Sequence, residues 1–132
     1  MAGKRIIQVP ALEKAAAGRK PPLSWAVEAG GLVFVSGIPP IDPDRGGFLQ
    51  GTIEQQAERV MENLKLVLAA AGTSLENVVK VTIYAVNSAN FARINAVYAR
   101  YFDRDPPART FVTVASWPLE FDVEIECVAL AG

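Results

Sequence analysis

Arg109 follows Pro106-Pro107-Ala108 and opens the run Arg109-Thr110-Phe111-Val112-Thr113-Val114. The prolines restrict the backbone ahead of it, and a strand from Arg109 onward would hold its Cα on a rigid base. A planar fork of donors in that place suits bidentate capture of a carboxylate. By spacing alone, an ion pair with a nearby Asp or Glu, or plain exposure, accounts for the arginine better. Glu124 and Glu126 alternate with Val123, Ile125 and Cys127, so both carboxylates fall on one strand face. One of them could position or deprotonate water. The ordinary reading of the same alternation is a solvated face. Like charges at that spacing leave room for at most one deeply buried carboxylate.

Two further places could serve a site. Asn95 interrupts an apolar helical stripe, and a polar amide there either bonds backbone in the core or faces a cleft. Ser36-Gly37 ends a strand and could offer backbone amides to a ligand, or could simply turn the chain. Asn63 is expected to be solvated, and Trp117-Pro118 to plug a loop.

The composition narrows the chemistry. The chain has 132 residues and no histidine, which removes imidazole proton transfer, histidine metal ligation and the Ser-His and Cys-His devices. Thirteen Lys plus Arg against fourteen Asp plus Glu leave a net charge of −1, with no basic run to grip phosphate backbones. Nucleic acid is therefore not an expected partner. The single cysteine, Cys127, excludes an intrachain disulfide and reads as a small buried hydrophobe. No stretch approaches a membrane span, and Met1 to Val9 lacks the apolar run of a signal peptide. The expectation is a complete cytoplasmic protein, one domain over residues 1–132.

The elements that must position these residues follow from periodicity. Arg5 to Val9 reads as an edge strand, and Ala11 to Lys20 as a loop that could hold one helical turn. Trp25 to Glu28 and Leu32 to Val35 flank Ala29-Gly30-Gly31, a hairpin signal. Thr52 and Gln55 form a capping-box pattern opening a helix whose stripe is Ala57, Val60, Met61, Leu64, Val67, Leu68 and Ala71. Gly72 is placed to end it. Val78 to Val86 alternates as a strand with Val79, Val81, Ile83 and Ala85 on one face. Asn87 or Ser88 then caps a helix to about Phe102, with the stripe Phe91, Ile94, Tyr98, Tyr101 and Phe102. Arg109 to Ala115 and Phe121 to Leu130 are the last strands. The order β-β-β-α-β-α-β-β predicts an α+β fold, one mixed sheet covered on one face by two helices. Phe34, Tyr84 and Phe111 are assigned to the other face, which predicts its burial by association.

Taken in order, these segments resemble the RidA/YjgF family, also called L-PSP endoribonuclease-like or reactive intermediate deaminases. The resemblance rests on Val33-Phe34-Val35-Ser36-Gly37-Ile38-Pro39, Glu62-Asn63-Leu64 leading to Ala70-Ala71-Gly72, and Val79 to Tyr84. It continues through Phe91 to Tyr98, Pro107-Ala108-Arg109-Thr110 and Val123-Glu124-Ile125-Glu126, almost the whole chain. It implies a chorismate-mutase-like fold assembled as a homotrimer, with clefts between subunits. It also implies hydrolytic deamination of enamine or imine acids such as 2-iminopropanoate, giving a keto acid and ammonia without metal or cofactor. Arg109 would bind the substrate carboxylate and Glu124 would orient the attacking water, with Ser36, Gly37 and Asn95 around the cleft.

The chain departs from the best-characterised deaminase pattern at three cleft positions. Leu23 stands where an aromatic hydroxyl often lines the pocket, Ile38 replaces a glutamine, and Phe111 replaces a cysteine. All three changes make the pocket more apolar or reshape it, so a bulkier enamine acid is a candidate substrate. The alternatives are a ribonuclease or translation inhibitor, a name the family also carries, and a non-catalytic trimer that binds a small ligand.

Overall fold

The computed structural model describes residues 3–15 and 21–132. Strands β1 (Arg5–Ile7), β2 (Ala26–Ala29), β3 (Leu32–Ile38), β4 (Val78–Ala85), β5 (Ala108–Thr113) and β6 (Val123–Leu130) form one sheet in the order β1-β2-β3-β6-β4-β5. Among the described residues only β4 and β5 run parallel; every other neighbouring pair is antiparallel, so the sheet is mixed as expected. The parallel pair needs a crossover. Helix α3 (Phe91–Tyr101) supplies it, entered through a short 3-10 turn at Ser88–Asn90 that the Asn87 side chain caps.

Helix α2 (Ile53–Ala70) opens with the reciprocal Thr52/Gln55 capping box and buries Val60, Met61, Leu64, Val67 and Leu68 against the sheet. At its other end the amides of Gly72 and Thr73 bond back to Ala69 and Leu68, with Gly72 at φ +80°. That closure requires a left-handed residue, which glycine adopts without strain. Polar bridges tie α3 to α2: Arg93 grips Glu54 through both forks, at 2.7 and 2.6 Å, and the Tyr101 hydroxyl donates to Glu62 at 2.8 Å. Together they fix the helix that carries Asn95.

Val81, Ile83 and Ala85 share the helix-covered face with Val123, Ile125 and Cys127, and all six are buried. The opposite face carries Phe34, Tyr84, Glu124, Glu126 and Val128, half-buried or exposed.

Four expectations are corrected. Residues 10–15 form a helix, α1 (Pro10–Ala15), because Leu12 is inserted fully into the core and Pro10 is preorganised for a first helical position. The rest of that stretch, 16–20, lies outside the described residues. In β4 a register shift between Val78 and Lys80 turns Val79 outward and puts Val78 in the core. Phe111 belongs to the helix-covered face, since it pairs with Ile83. Asn63 is not solvated but 0% exposed: its amide donates to the carbonyls of Pro39 at 3.2 Å and Ile41 at 2.8 Å, and its oxygen accepts from Arg59.

Candidate functional site

The sheet register places Arg109 beside Val81, so its side chain rises on the helix-covered face at the edge strand β5. There α3 receives it. Nη1 donates to Asn95 Oδ1 at 2.6 Å, and Cζ lies 5.0 Å from the Tyr98 ring centre and 5.8 Å from that of Phe91. Phe91 is in turn braced edge-on by Phe111, with ring centres 4.8 Å apart. Phe91, Asn95 and Tyr98 meet there because positions three and four apart line one side of a helix. Rings under a cation stabilise it and hold its plane. Among the described residues Arg109 pairs with no carboxylate, which sets it apart from Arg5, Arg93 and Arg100. Its remaining donors can take an anion. Beneath it the Tyr98 hydroxyl is buried with no hydrogen-bond partner among the described residues, and burial pushes its pKa up to about 12.

The second cluster is built on β6 and the end of β3. Ser36 and Gly37 span a register shift between Val35 and Ile38, a bulge against Cys127 and Ile125. A methyl group at Gly37 would stand 2.6 Å from Glu124 Oε1, so the glycine is what lets the carboxylate lie against the backbone. The Ser36 hydroxyl donates to the Ser24 carbonyl at 2.6 Å, which ties this bulge to the segment carrying exposed Leu23. Burial raises the Glu124 pKa, and the neighbouring Glu126 charge adds to the effect. Glu126 itself accepts a hydrogen bond from Tyr84, whose hydroxyl is thereby pushed up to about 12. A half-buried carboxyl with raised pKa is suited to exchanging protons with water.

Of the residues expected at a site, Arg109, Asn95 and Phe111 thus come together, as do Ser36, Gly37 and Glu124. The two groups lie on opposite faces of the sheet. Ile38 joins neither through its side chain, which is 0% exposed in the core; only its backbone is left to meet a ligand. Glu124 alone of the two glutamates lies against Gly37, while Glu126 is taken up by Tyr84. Sequence reasoning passed over Phe91, Tyr98 and Tyr84. The first two carried a signal, their spacing from Asn95, but it read as core packing. Cys127 is buried and its thiol is pushed up to about 12, so it is no nucleophile at neutral pH. An open cavity of about 630 Å³ lies at the far end of the sheet between Trp117, Phe121, Gln56 and Asn87, and neither cluster lines it.

Comparison with known proteins agrees with this architecture. The family described as Endoribonuclease L-PSP matches residues 13–131. A RutC family protein of Pyrococcus horikoshii is 44% identical over 108 residues, 82% of this chain and 86% of the relative. The chloroplastic Reactive Intermediate Deaminase A of Arabidopsis thaliana is 40% identical over 122 residues, 92% of this chain and 65% of the relative. The crystal structure of E. coli TdcF with bound serine superposes with a TM-score of 0.84 at 33% identity, covering 97% of this chain and 99% of that one. The chain therefore belongs to the Endoribonuclease L-PSP family, the RidA/YjgF proteins.

Proposed function

We propose that the protein is a deaminase that hydrolyses 2-imino acids, the tautomers of enamine acids, to keto acids and ammonia. The observation that carries this reading is Arg109. It is half-buried, oriented by Asn95 and two aromatic rings, and paired with no carboxylate among the described residues. Such a group suits a small anionic ligand. The deaminase relative and the serine-bound neighbour point the same way, toward an amino-acid-like carboxylate.

The site is completed by a second copy of the chain. Arg109 and Glu124 cannot face one substrate within a single sheet, because their side chains leave it on opposite faces. A cyclic trimer that packs the open face of one subunit against the β5 edge of the next would bring the two clusters together. Phe34 and Tyr84 on that open face provide apolar surface for the contact.

The chemistry needs no group beyond these. Arg109 holds the carboxylate, placing the iminium carbon beside the neighbour's Glu124. Water adds to that carbon while Glu124 takes its proton, and Glu124 then delivers the proton to the amino nitrogen. The carbinolamine collapses: its hydroxyl proton returns to Glu124, the C–N bond breaks, and ammonia leaves and is protonated. Its raised pKa makes Glu124 a stronger base than an ordinary carboxylate, which favours taking up that proton before passing it on. The test is ammonia release from 2-iminopropanoate generated in situ. Wild type should accelerate it and Arg109→Ala should not; equal rates for the two proteins would refute the assignment.

A further inference from the structure

The aromatic rings around Arg109 have an asymmetry. Tyr98 is buried beneath the guanidinium, while Phe91 is 44% exposed although its ring centre lies only 5.8 Å from Arg109 Cζ. Phe111 braces Phe91 edge-on at 4.8 Å and an interplanar angle of 80°, and is itself packed on the core, so the exposed ring is fixed in place. Arg93 turns away from this surface to grip Glu54. The exposed ring is therefore an apolar wall beside the carboxylate clamp.

A carboxylate bound to the outer edge of a guanidinium sits roughly 4 Å from Cζ. The substituent on the next carbon then lies within reach of a ring centred at 5.8 Å from the same atom. We propose that Phe91 is the specificity-determining residue of the site, its ring receiving the substrate side chain. The preferred substrates are then imino acids with branched apolar or aromatic side chains, ahead of methyl-bearing 2-iminopropanoate. This rests on Arg109 being the carboxylate clamp. Each buried methylene is worth about fourfold in binding, so a phenyl group half-covered by the ring should gain on the order of tenfold over a methyl.

Unreactive carboxylates separate the side-chain preference from catalysis. In NMR or calorimetric titrations of the assembled protein, 3-phenylpropanoate should bind about tenfold more tightly than propanoate. In Phe91→Ala the ratio should fall below about threefold, with Phe91→Leu in between. Because Phe91 is 44% exposed and outside the buried core cluster, circular dichroism is expected to show both variants folded. Equal affinities in wild type, or an unchanged ratio in Phe91→Ala, overturn the inference. If neither carboxylate binds wild type, the clamp reading of Arg109 fails and takes the inference with it. If the preference appears but no imino acid is hydrolysed, the deaminase reading fails and the Phe91 subsite stands.

Discussion

Arg109 and Glu124 stand on opposite faces of one sheet, two strands apart and three residues out of register. Arg109 pairs with Val81 on β4, and Glu124 with Tyr84 on the same strand. Neighbouring strands lie about 4.8 Å apart, so the two backbones are on the order of 10 Å apart sideways before their side chains diverge. Within one subunit the two side chains therefore point away from each other.

Mixed subunits should therefore rescue each other. Arg109→Ala and Glu124→Gln are each expected to be inactive. After the two are unfolded together and refolded at equal amounts, random trimers should regain about a quarter of wild-type activity, since a quarter of the interfaces pair two intact clusters. Activity that stays at the level of the separate variants would place both residues in one subunit's site or remove one from catalysis.

Asn95 Oδ1 accepts from Arg109 Nη1 at 2.6 Å and so fixes the orientation of the guanidinium. Asn95→Ala should leave the arginine in place with one donor unpaired, raising KM by about tenfold with a smaller effect on kcat. Steady-state kinetics on a single imino acid check this. A loss confined to kcat would instead mark Asn95 as a group acting on the reacting atoms.

The raised pKa of Glu124 works against stability at neutral pH. The folded protein keeps this proton to higher pH than the unfolded chain, so stability falls as pH rises through the ordinary carboxyl range to the folded value. Glu124→Gln removes that loss. It should be more stable than wild type at pH 7, with the difference vanishing below about pH 4. Urea titrations at the two pH values give the comparison.

Glu126 contributes to the same shift, and Tyr84 is the group hydrogen-bonded to it. Glu126→Gln should move the acidic limb of the kcat/KM profile to lower pH, because Glu124 would then ionise more easily. A limb that stays where it is would show that burial alone sets the Glu124 pKa.

Asn63 holds the segment after the Ser36-Gly37 bulge through the carbonyls of Pro39 and Ile41. Asn63→Ala leaves buried acceptors unpaired and should cost about 1–3 kcal/mol. The midpoint of urea unfolding should fall with an unchanged slope.

Much of the architecture was legible in the chain because it depends on neighbours in sequence. In α3 the stripe holds at Ile94, Tyr98 and Phe102, while Phe91 is exposed and Val97 takes a buried place. The Thr52/Gln55 cap, Gly72 as the helix stop, the apolar stripe of α2 and the alternation in β6 all stand as read. Each rests on a period or a local hydrogen bond. The readings that needed correction depended on distant partners. Leu12 makes a helix of an Ala-rich stretch because the core receives it, and Asn63 is buried because a loop 22 residues earlier needs its amide. The bulge in β4 exchanges the places of Val78 and Val79, which no alternation could foretell. The same division runs through the site. Residue type and spacing picked out Arg109 and the two glutamates as candidates, but a strand pattern says only that residues share a face, not which face of which sheet. Register decided that Arg109 meets α3, that Glu124 and not Glu126 lies against Gly37, and that arginine and carboxylate part to opposite sides.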